Sequence, residues 1–172
     1  MKAIILAAGL GKRLLPLTED KPKCLIEFSG KTLLDRLLKT FKSGGINDIV
    51  LVIGHKSEKI KNVDLNLVKN EKYSKTGIMH SLFCAKEKLE KTVIVSYGDI
   101  IFENSVLEKL LESKYDITAV VDKKWEKYWK LILIDFISFK TYTHSQFSPS
   151  DHTYPPKSLF LNFKATFPLY SI

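Results

Sequence analysis

The chain has 172 residues, a hydrophobic content of 45% and a formal net charge of +8. This length is typical of one domain with a sizeable core, and the charge favours an anionic partner without distinguishing a nucleic acid, a membrane surface or a small phosphate compound. The lysines are spread along the chain, which disfavours a basic tail or a polybasic anchor, and no apolar run approaches the roughly 18 residues of a membrane span.

Apolar runs alternate with helical patterns along the first 121 residues. The runs are continuous and lack a period of two, which is typical of strands buried on both faces of a parallel sheet. In chain order we predict strand 3–8, helix 33–41 capped by Thr32, strands 48–53 and 65–68, helix 79–89, strand 92–97, helix 105–111 and strand 116–121. The alternation predicts an α/β fold, a Rossmann-like three-layer sandwich with a mostly parallel sheet.

The character of the chain changes near Lys130. The stretch that follows has no clear periodicity and is interrupted by four prolines. We therefore divide the chain into an α/β portion at residues 1–130 and an atypical tail at 131–172. A frameshifted or truncated chain would account for the tail and is the explanation we favour; an unusual but genuine tail is the alternative.

Cys24 and Cys84 are the two cysteines, and they form no CxxC motif. A zinc site and a disulfide framework are therefore disfavoured. The apolar run at the start is too short for a secretion signal and is interrupted by glycine and cations. We expect two free, buried thiols in a soluble cytoplasmic protein.

A glycine loop, Gly9-Leu10-Gly11-Lys12-Arg13, directly follows the first predicted strand. It is not the dinucleotide fingerprint, because leucine replaces the third glycine, and it is not a Walker A loop. Glycines nevertheless let backbone N–H groups approach an anion closely, Arg13 can contact two phosphate oxygens, and Lys12 and Lys23 add positive charge. The loop favours a polyphosphate site over the alternative, a tight turn with solvated cations.

Asp99 follows the strand 92–97 and Gly98. Because ligands of parallel sheets bind beyond the carboxyl ends of the strands, we expect Asp99 and the glycine loop to face one crevice. A carboxylate beside a polyphosphate requires an intervening cation, and Mg²⁺ is commonly held by one or two carboxylates plus phosphate oxygens. Taken alone, Asp99 would be read as a turn or cap residue.

Two segments resemble a known enzyme family. LAAGLGKRLLPLTEDKPKCLIEFSGKTLL resembles the signature of nucleotidyltransferases that activate sugar 1-phosphates and phosphocholine, and VSYGD resembles their strand-borne metal aspartate. NEKYSKTGIMHSLFCAKE and VVDKKWEKYWK are most similar to the branch that uses CTP with phosphocholine or related phospho- and phosphono-amines. The resemblance covers about residues 1–130 and implies the nucleotide-diphospho-sugar transferase fold with an incomplete C-terminal half.

The resemblance implies transfer of CMP from CTP to a phosphomonoester such as phosphocholine, with release of pyrophosphate. Arg13 would hold the β- and γ-phosphates, Lys23 would neutralise charge at the α-phosphate, and Asp99 would bind Mg²⁺. The implied nucleotide-binding residues are Leu6, Ala7, Ala8, Gly9, Leu10, Gly11, Lys12, Arg13, Lys23, Asn70 and Ser81.

An aromatic group follows the last predicted strand of the α/β portion. Trp125, Tyr128 and Trp129 lie beside Asp122 and would suit a quaternary ammonium acceptor through cation–π attraction, although plain packing is the more common role of such a group. The resemblance places a second metal-binding aspartate in the later half, where Asp135 and Asp151 match no pattern.

Three other functions compete with the cytidylyltransferase. A sugar 1-phosphate nucleotidyltransferase would use UTP, dTTP or GTP, and a catalytically impaired fragment would bind nucleotide without releasing pyrophosphate. A nucleic-acid-binding domain ranks last, because cations and aromatics are not interleaved in the first 120 residues. We expect no nucleic-acid partner and no membrane span, and the sequence leaves the oligomeric state open.

Overall fold

The computed structural model describes residues 1–61 and 65–122 and the backbone of 162–166. The chain divides into two compact units, one formed by Met1–Val120 with Asn162–Ile172 and the other by Val121–Leu161. Of the second unit, the described residues are Val121 and Asp122. The predicted boundary at residue 130 stays a prediction.

Eight strands and three α-helices form the described part of the first unit. The strands are β1 (Lys2–Leu6), β2 (Glu27–Phe28), β3 (Lys31–Thr32), β4 (Asp48–Ile53), β5 (Asn66–Lys69), β6 (Thr92–Tyr97), β7 (Ile117–Val120) and β8 (Asn162–Thr166). The helices are α1 (Leu33–Ser43), α2 (Ile78–Cys84) and α3 (Asn104–Glu112). No helix in this described part is long and apolar enough to cross a membrane.

Six of these strands form one sheet in the order β5-β4-β1-β6-β8-β7. The pairs β5–β4, β4–β1 and β1–β6 are parallel, and Ile4 of β1 lies between Val50 and Val95 in the register. Strand β8 comes from the predicted atypical tail and pairs antiparallel with both β6 and β7. The short strands β2 and β3 form a separate hairpin.

Alternate residues of β1 point into two hydrophobic cores. Ala3 and Ile5 pack in the core that contains the buried residues of α1 and α3, whereas Ile4 and Leu6 pack in the core that contains Leu82 of α2. Since side chains alternate across a strand, a strand covered on both faces must be apolar at every position. The continuous apolar runs arise from this arrangement, and the predicted mostly parallel three-layer fold is confirmed.

The predicted helix 33–41 is confirmed as α1. Thr32 caps it by accepting a hydrogen bond from the Asp35 backbone N–H at 3.0 Å, and Gly44 ends it. The predicted helix 79–89 is wrong at its C-terminal end, because α2 ends at Cys84 and Lys86–Lys88 forms a separate 3-10 turn. The change follows from the hydrogen bonds: the amides of Ala85 and Lys88 each bond the carbonyl three residues back.

Candidate active site

A cavity of about 290 Å³ lies where β1 and β6 end. Its walls come from the end of β1, the glycine loop, the turn after Pro22, the start of α2 and the end of β6. The lining residues are Leu6, Ala7, Gly9, Leu10, Gly11, Lys12, Arg13, Leu14, Lys23, Cys24, Ile78, Tyr97, Gly98 and Asp99. The expectation that the glycine loop and Asp99 share one crevice is therefore confirmed by the geometry.

Gly11 gives the glycine loop its shape. Its φ of +66° lies in the left-handed region, and the Thr18 hydroxyl donates a hydrogen bond to the Gly11 carbonyl at 3.0 Å. Thr18 is only 1% exposed, so it supports the loop from beneath. The amide of Leu14 also bonds the Gly11 carbonyl at 2.8 Å and begins the 3-10 turn Lys12–Leu14. The loop is thus held from inside the protein, with Lys12 and Arg13 exposed at the cavity.

Gly98 sets the position of Asp99. The Gly98 amide donates to the Leu6 carbonyl at 2.9 Å, which ties the end of β6 to the end of β1. A Cβ at position 98 would lie 2.9 Å from the Ala7 Cβ, so only glycine allows this close approach without a shift of the neighbouring strand. The dipeptide Gly98-Asp99 therefore places a carboxylate directly beside the glycine loop.

Lys23 forms an ion pair with Asp99 within the cavity lining. The Lys23 Nζ donates to the Asp99 Oδ2, and the two side chains are 31% and 33% exposed. Lys23 begins the 3-10 turn Lys23–Leu25, which follows the buried Pro22. Since Pro22 has a restricted backbone and the Leu25 amide bonds its carbonyl at 2.9 Å, the turn holds Lys23 in place. The sequence predicted both residues in the site but not their contact.

Cys24 and Tyr97 also line the cavity, although the sequence patterns did not predict them as site residues. Burial raises the pKa of the Cys24 thiol to about 12, with a smaller contribution from the Asp99 carboxylate. Burial and the Asp99 charge also raise the pKa of Tyr97. Both groups therefore stay neutral near pH 7. The sequence signal that could have identified them is their position, since Cys24 directly follows Lys23 and Tyr97 directly precedes Gly98.

Residues 3–139 match the model of the family described as the MobA-like NTP transferase domain. The chain belongs to this family. Against individual proteins, this NTP transferase domain is 41% identical over 140 residues to the CTP:phosphoglutamine cytidylyltransferase of Campylobacter jejuni, covering 75% of the chain and 55% of that protein. It is 37% identical over 119 residues to the choline-phosphate cytidylyltransferase of Streptococcus pneumoniae, covering 67% of the chain and 52% of that protein.

A solved structure has the same fold. The inositol-1-phosphate CTP transferase from T. maritima superposes with a TM-score of 0.60 at 31% identity, covering 69% of this chain and 51% of that one. The NTP transferase domain thus spans about half the length of the relatives it matches.

Asn70 and Ser81 lie outside the lining of the cavity in this NTP transferase domain. Asn70 is fully buried, and its side-chain amide donates to the Ser81 and Thr76 hydroxyls at 3.0 and 3.1 Å. Its Oδ1 accepts the Lys72 backbone N–H at 2.9 Å. These bonds join the end of β5 to α2, whose first residue, Ile78, lines the cavity. A direct nucleotide contact by Asn70 or Ser81 stays a prediction.

The other predicted site residues fall into two groups. Ala8 is buried behind the loop, where its carbonyl accepts the His55 backbone N–H at 3.2 Å, and it is not part of the lining. Asp122 is half-buried, and Trp125, Tyr128 and Trp129 lie outside the described residues, as do Asp135 and Asp151. The acceptor site therefore stays a prediction.

The cysteines are both free. Cys24 is buried as expected, whereas Cys84, at the end of α2, is only half-buried. Within residues 1–61 and 65–122, no group of three or more His, Cys, Asp or Glu side chains is placed to hold a metal ion. Asp99 is the one acidic side chain that lines the cavity in this part of the chain.

Proposed function

We propose that the chain binds CTP and carries the nucleotide half of an enzyme that transfers CMP to a phosphomonoester, releasing pyrophosphate. One observation carries the proposal: the glycine loop, Arg13, Lys23 and Asp99 line one cavity at the carboxyl ends of β1 and β6. Among the described residues, the lining combines the glycine loop and three cations with a single carboxylate. This combination suits a triphosphate better than a neutral or a cationic ligand.

CTP is favoured because the names of three relatives specify CTP or cytidylyl transfer, whereas the acceptors that they name differ. Phosphoglutamine, choline-phosphate and inositol 1-phosphate are named as their partners, and each name specifies CTP or cytidylyl transfer. Among these three relatives, the base is the common feature. The acceptor is the variable one, and for this chain we propose a small phosphomonoester of the phosphocholine kind.

Two side chains and two backbone amides would contact the triphosphate. Arg13 is exposed beside the loop, and its guanidinium can contact oxygens of both the β- and the γ-phosphate. Lys23 lies deeper, where its ammonium would neutralise charge that grows at the α-phosphate. The amides of Leu10 and Gly11 complete the cradle.

The cavity also fits a magnesium ion. Asp99 offers one half-buried carboxylate, and phosphate oxygens of the nucleotide would supply further hard ligands, which matches the usual Mg²⁺ site at phosphates. When bound, the ion would supply Lewis-acid stabilisation of the phosphate charge. Asp99 is the residue that would hold it.

The reaction is an in-line displacement. A phosphate oxygen of the acceptor forms a bond to the α-phosphorus as the bond from that phosphorus to the bridging β-oxygen breaks, and pyrophosphate leaves. The acceptor is already ionised near neutral pH, since its second pKa is about 6, so no general base is needed. Catalysis then depends on alignment by the loop and on charge stabilisation by Lys23 and Arg13.

A binding panel tests the nucleotide. CTP, UTP, dTTP, GTP and ATP, each with and without Mg²⁺, are compared by the thermal stability of the full chain. A ligand at about 100 times its Kd adds roughly 2.7 kcal/mol, or several degrees for a domain of this size. We expect the largest shift with magnesium–CTP. Equal shifts with all five nucleotides would contradict the choice of base, and no shift would contradict the site.

A variant pair tests the chemistry. Pyrophosphate release is measured with CTP and phosphocholine, phosphoglutamine, inositol 1-phosphate or glucose 1-phosphate. Lys23→Ala is expected to lower the rate on the order of 10²-fold, the usual effect of removing one charge-stabilising group. Lys21→Ala, which removes the same charge two residues earlier and outside the cavity lining, should change it by less than about twofold. Equal effects of the two substitutions would contradict the role of Lys23.

A further inference from the structure

Lys23 and Asp99 form an ion pair with each other, although the proposed function assigns each of them to a different partner. Lys23 is assigned to the α-phosphate and Asp99 to the metal, yet the Lys23 ammonium contacts the Asp99 Oδ2. The contact uses a carboxylate oxygen that a metal ion would need. The ammonium thus holds the place of a cation at Asp99.

The surroundings of the pair make this contact specific. Lys12 and Arg13 also line the cavity, but they are exposed, whereas Lys23 and Asp99 are each about two-thirds covered, with side chains 31% and 33% exposed. A covered pair is screened less by salt and water than a pair on the surface. Both backbones are held, Lys23 by the turn that follows Pro22 and Asp99 by the Gly98 bond to β1. The fold therefore positions this ion pair within the site.

We propose that Lys23 is the resident counter-ion of Asp99, so that a divalent metal ion binds this carboxylate well only when a triphosphate draws Lys23 away. The inference rests on the proposed function and deepens it. A triphosphate offers Lys23 another anion, and the freed carboxylate then accepts the metal. Because coupling between two sites is reciprocal, the nucleotide raises metal affinity by the factor with which the metal raises nucleotide affinity. The site therefore assembles around magnesium–nucleotide and discriminates against free metal ion.

The pairing also affects the approach of the nucleotide. An unpaired Asp99 would repel a triphosphate that enters the cavity, whereas the paired carboxylate is neutralised until the phosphates arrive. With Asp99 paired, the cations of the lining keep the cavity positive. The Lys23 side chain then neutralises phosphate charge, so its two roles succeed each other during binding.

Direct titration with Mn²⁺ in the absence of nucleotide tests the inference. The free ion is counted by its electron paramagnetic resonance signal, a readout independent of activity. Lys23→Met removes the ammonium and keeps an unbranched stem, and Lys12→Met removes the same charge from the same lining as the matched control. We expect Lys23→Met to bind Mn²⁺ about fivefold more tightly than Lys12→Met, a factor worth about 1 kcal/mol.

Two further variants separate the possible failures. Lys23→Arg keeps a cation at Asp99 and should bind Mn²⁺ as weakly as the wild type. It also provides a test if thermal melting shows that Lys23→Met does not fold. In Lys23→Met/Asp99→Asn the gain should vanish. Equal Mn²⁺ affinities of the Lys23→Met and Lys12→Met variants, with Mn²⁺ binding lost in the Asp99→Asn background, would overturn the inference and leave Asp99 as the metal ligand. Mn²⁺ binding that is unchanged by Asp99→Asn would overturn both the inference and the proposed role of Asp99 as the metal ligand.

Coupling to the nucleotide gives a second readout. A CTP analogue with a non-hydrolysable α,β-bridge is added to saturation, and the Mn²⁺ titration is repeated. The analogue should raise Mn²⁺ affinity by a larger factor in the wild type than in Lys23→Met, because the variant has no ammonium to displace. A factor unchanged by Lys23→Met would contradict the competition between Lys23 and the metal.

Discussion

Alanine at Gly11 should destabilise the glycine loop through two separable effects. Gly11 has a φ of +66°, where an L-residue costs roughly 1–2 kcal/mol. An added Cβ would also lie 2.9 Å from the Thr18 Cγ2 and 3.2 Å from the Thr18 Cβ. Thr18 is buried and its hydroxyl bonds the Gly11 carbonyl, so it cannot move away without losing that bond. Overpacking of this kind costs about 1–3 kcal/mol.

The expected loss for Gly11→Ala is therefore about 2–5 kcal/mol in the free energy of unfolding. Urea denaturation measures it, and the melting temperature should fall by roughly 2–4 °C for each kcal/mol. Magnesium–CTP binding should weaken as well, since the proposed phosphate cradle depends on the loop conformation that Gly11 allows. Gly9→Ala is the matched control, because no atom lies within 4 Å of its added Cβ.

A second-site change separates strain from overpacking. Thr18→Ser removes Cγ2, the nearest atom to the added Cβ, and keeps the hydroxyl that bonds Gly11. In the Gly11→Ala background it should restore most of the overpacking part and leave the roughly 1–2 kcal/mol of backbone strain. The reasoning would be refuted if Gly9→Ala and Gly11→Ala lost equal stability, or if Thr18→Ser restored none in that background.

Two further predictions concern buried groups beside the cavity. Asn70→Ala should lower the free energy of unfolding by about 1–3 kcal/mol in urea, because it leaves the buried Ser81 hydroxyl without its Asn70 partner, whereas the exposed Asn66→Ala should change it by less than about 0.5 kcal/mol. Equal losses would contradict the network. For Cys24, the folded pKa of about 12 lies above the ordinary value of 9.0, so the unfolded chain releases its proton first and stability falls as pH rises above about 9. Between pH 8 and pH 10.5, the Cys24 thiol should lower the free energy of unfolding by roughly 2 kcal/mol. This pH-dependent loss should be missing from the unfolding curves of Cys24→Ala. The same pH dependence in Cys24→Ala and in the wild type would contradict the effect of burial on the Cys24 pKa.

Local patterns predicted the fold because the central parallel strands β1, β4 and β6 are covered on both faces. Strands β4 and β6 were predicted with their observed bounds, 48–53 and 92–97, since glycine or a turn follows each apolar run. The end of α2 was not predictable from its apolar spacing. There the last turn depends on which carbonyl each amide reaches, and this choice is made by packing against the sheet.

Strand β8 shows the limit of local patterns most clearly. Residues 162–166 lie in a segment without periodicity, yet they pair with β6 and β7 in the sheet. A strand of this kind is defined by its neighbours, because its backbone hydrogen bonds are made with residues distant in sequence. Composition alone suggested an atypical tail for the whole of 131–172.

The candidate site divides in the same way. The sequence by itself determined its ingredients, since a glycine loop with cations after one buried strand and Gly98-Asp99 after another predict a phosphate site with a carboxylate. Only the tertiary structure decided how they combine: which of the cations pairs with Asp99, and that Asn70 bonds Ser81 in the interior. The physical reason is that these contacts join residues 76 and 11 positions apart, and their geometry depends on the packing of β1, β6 and α2.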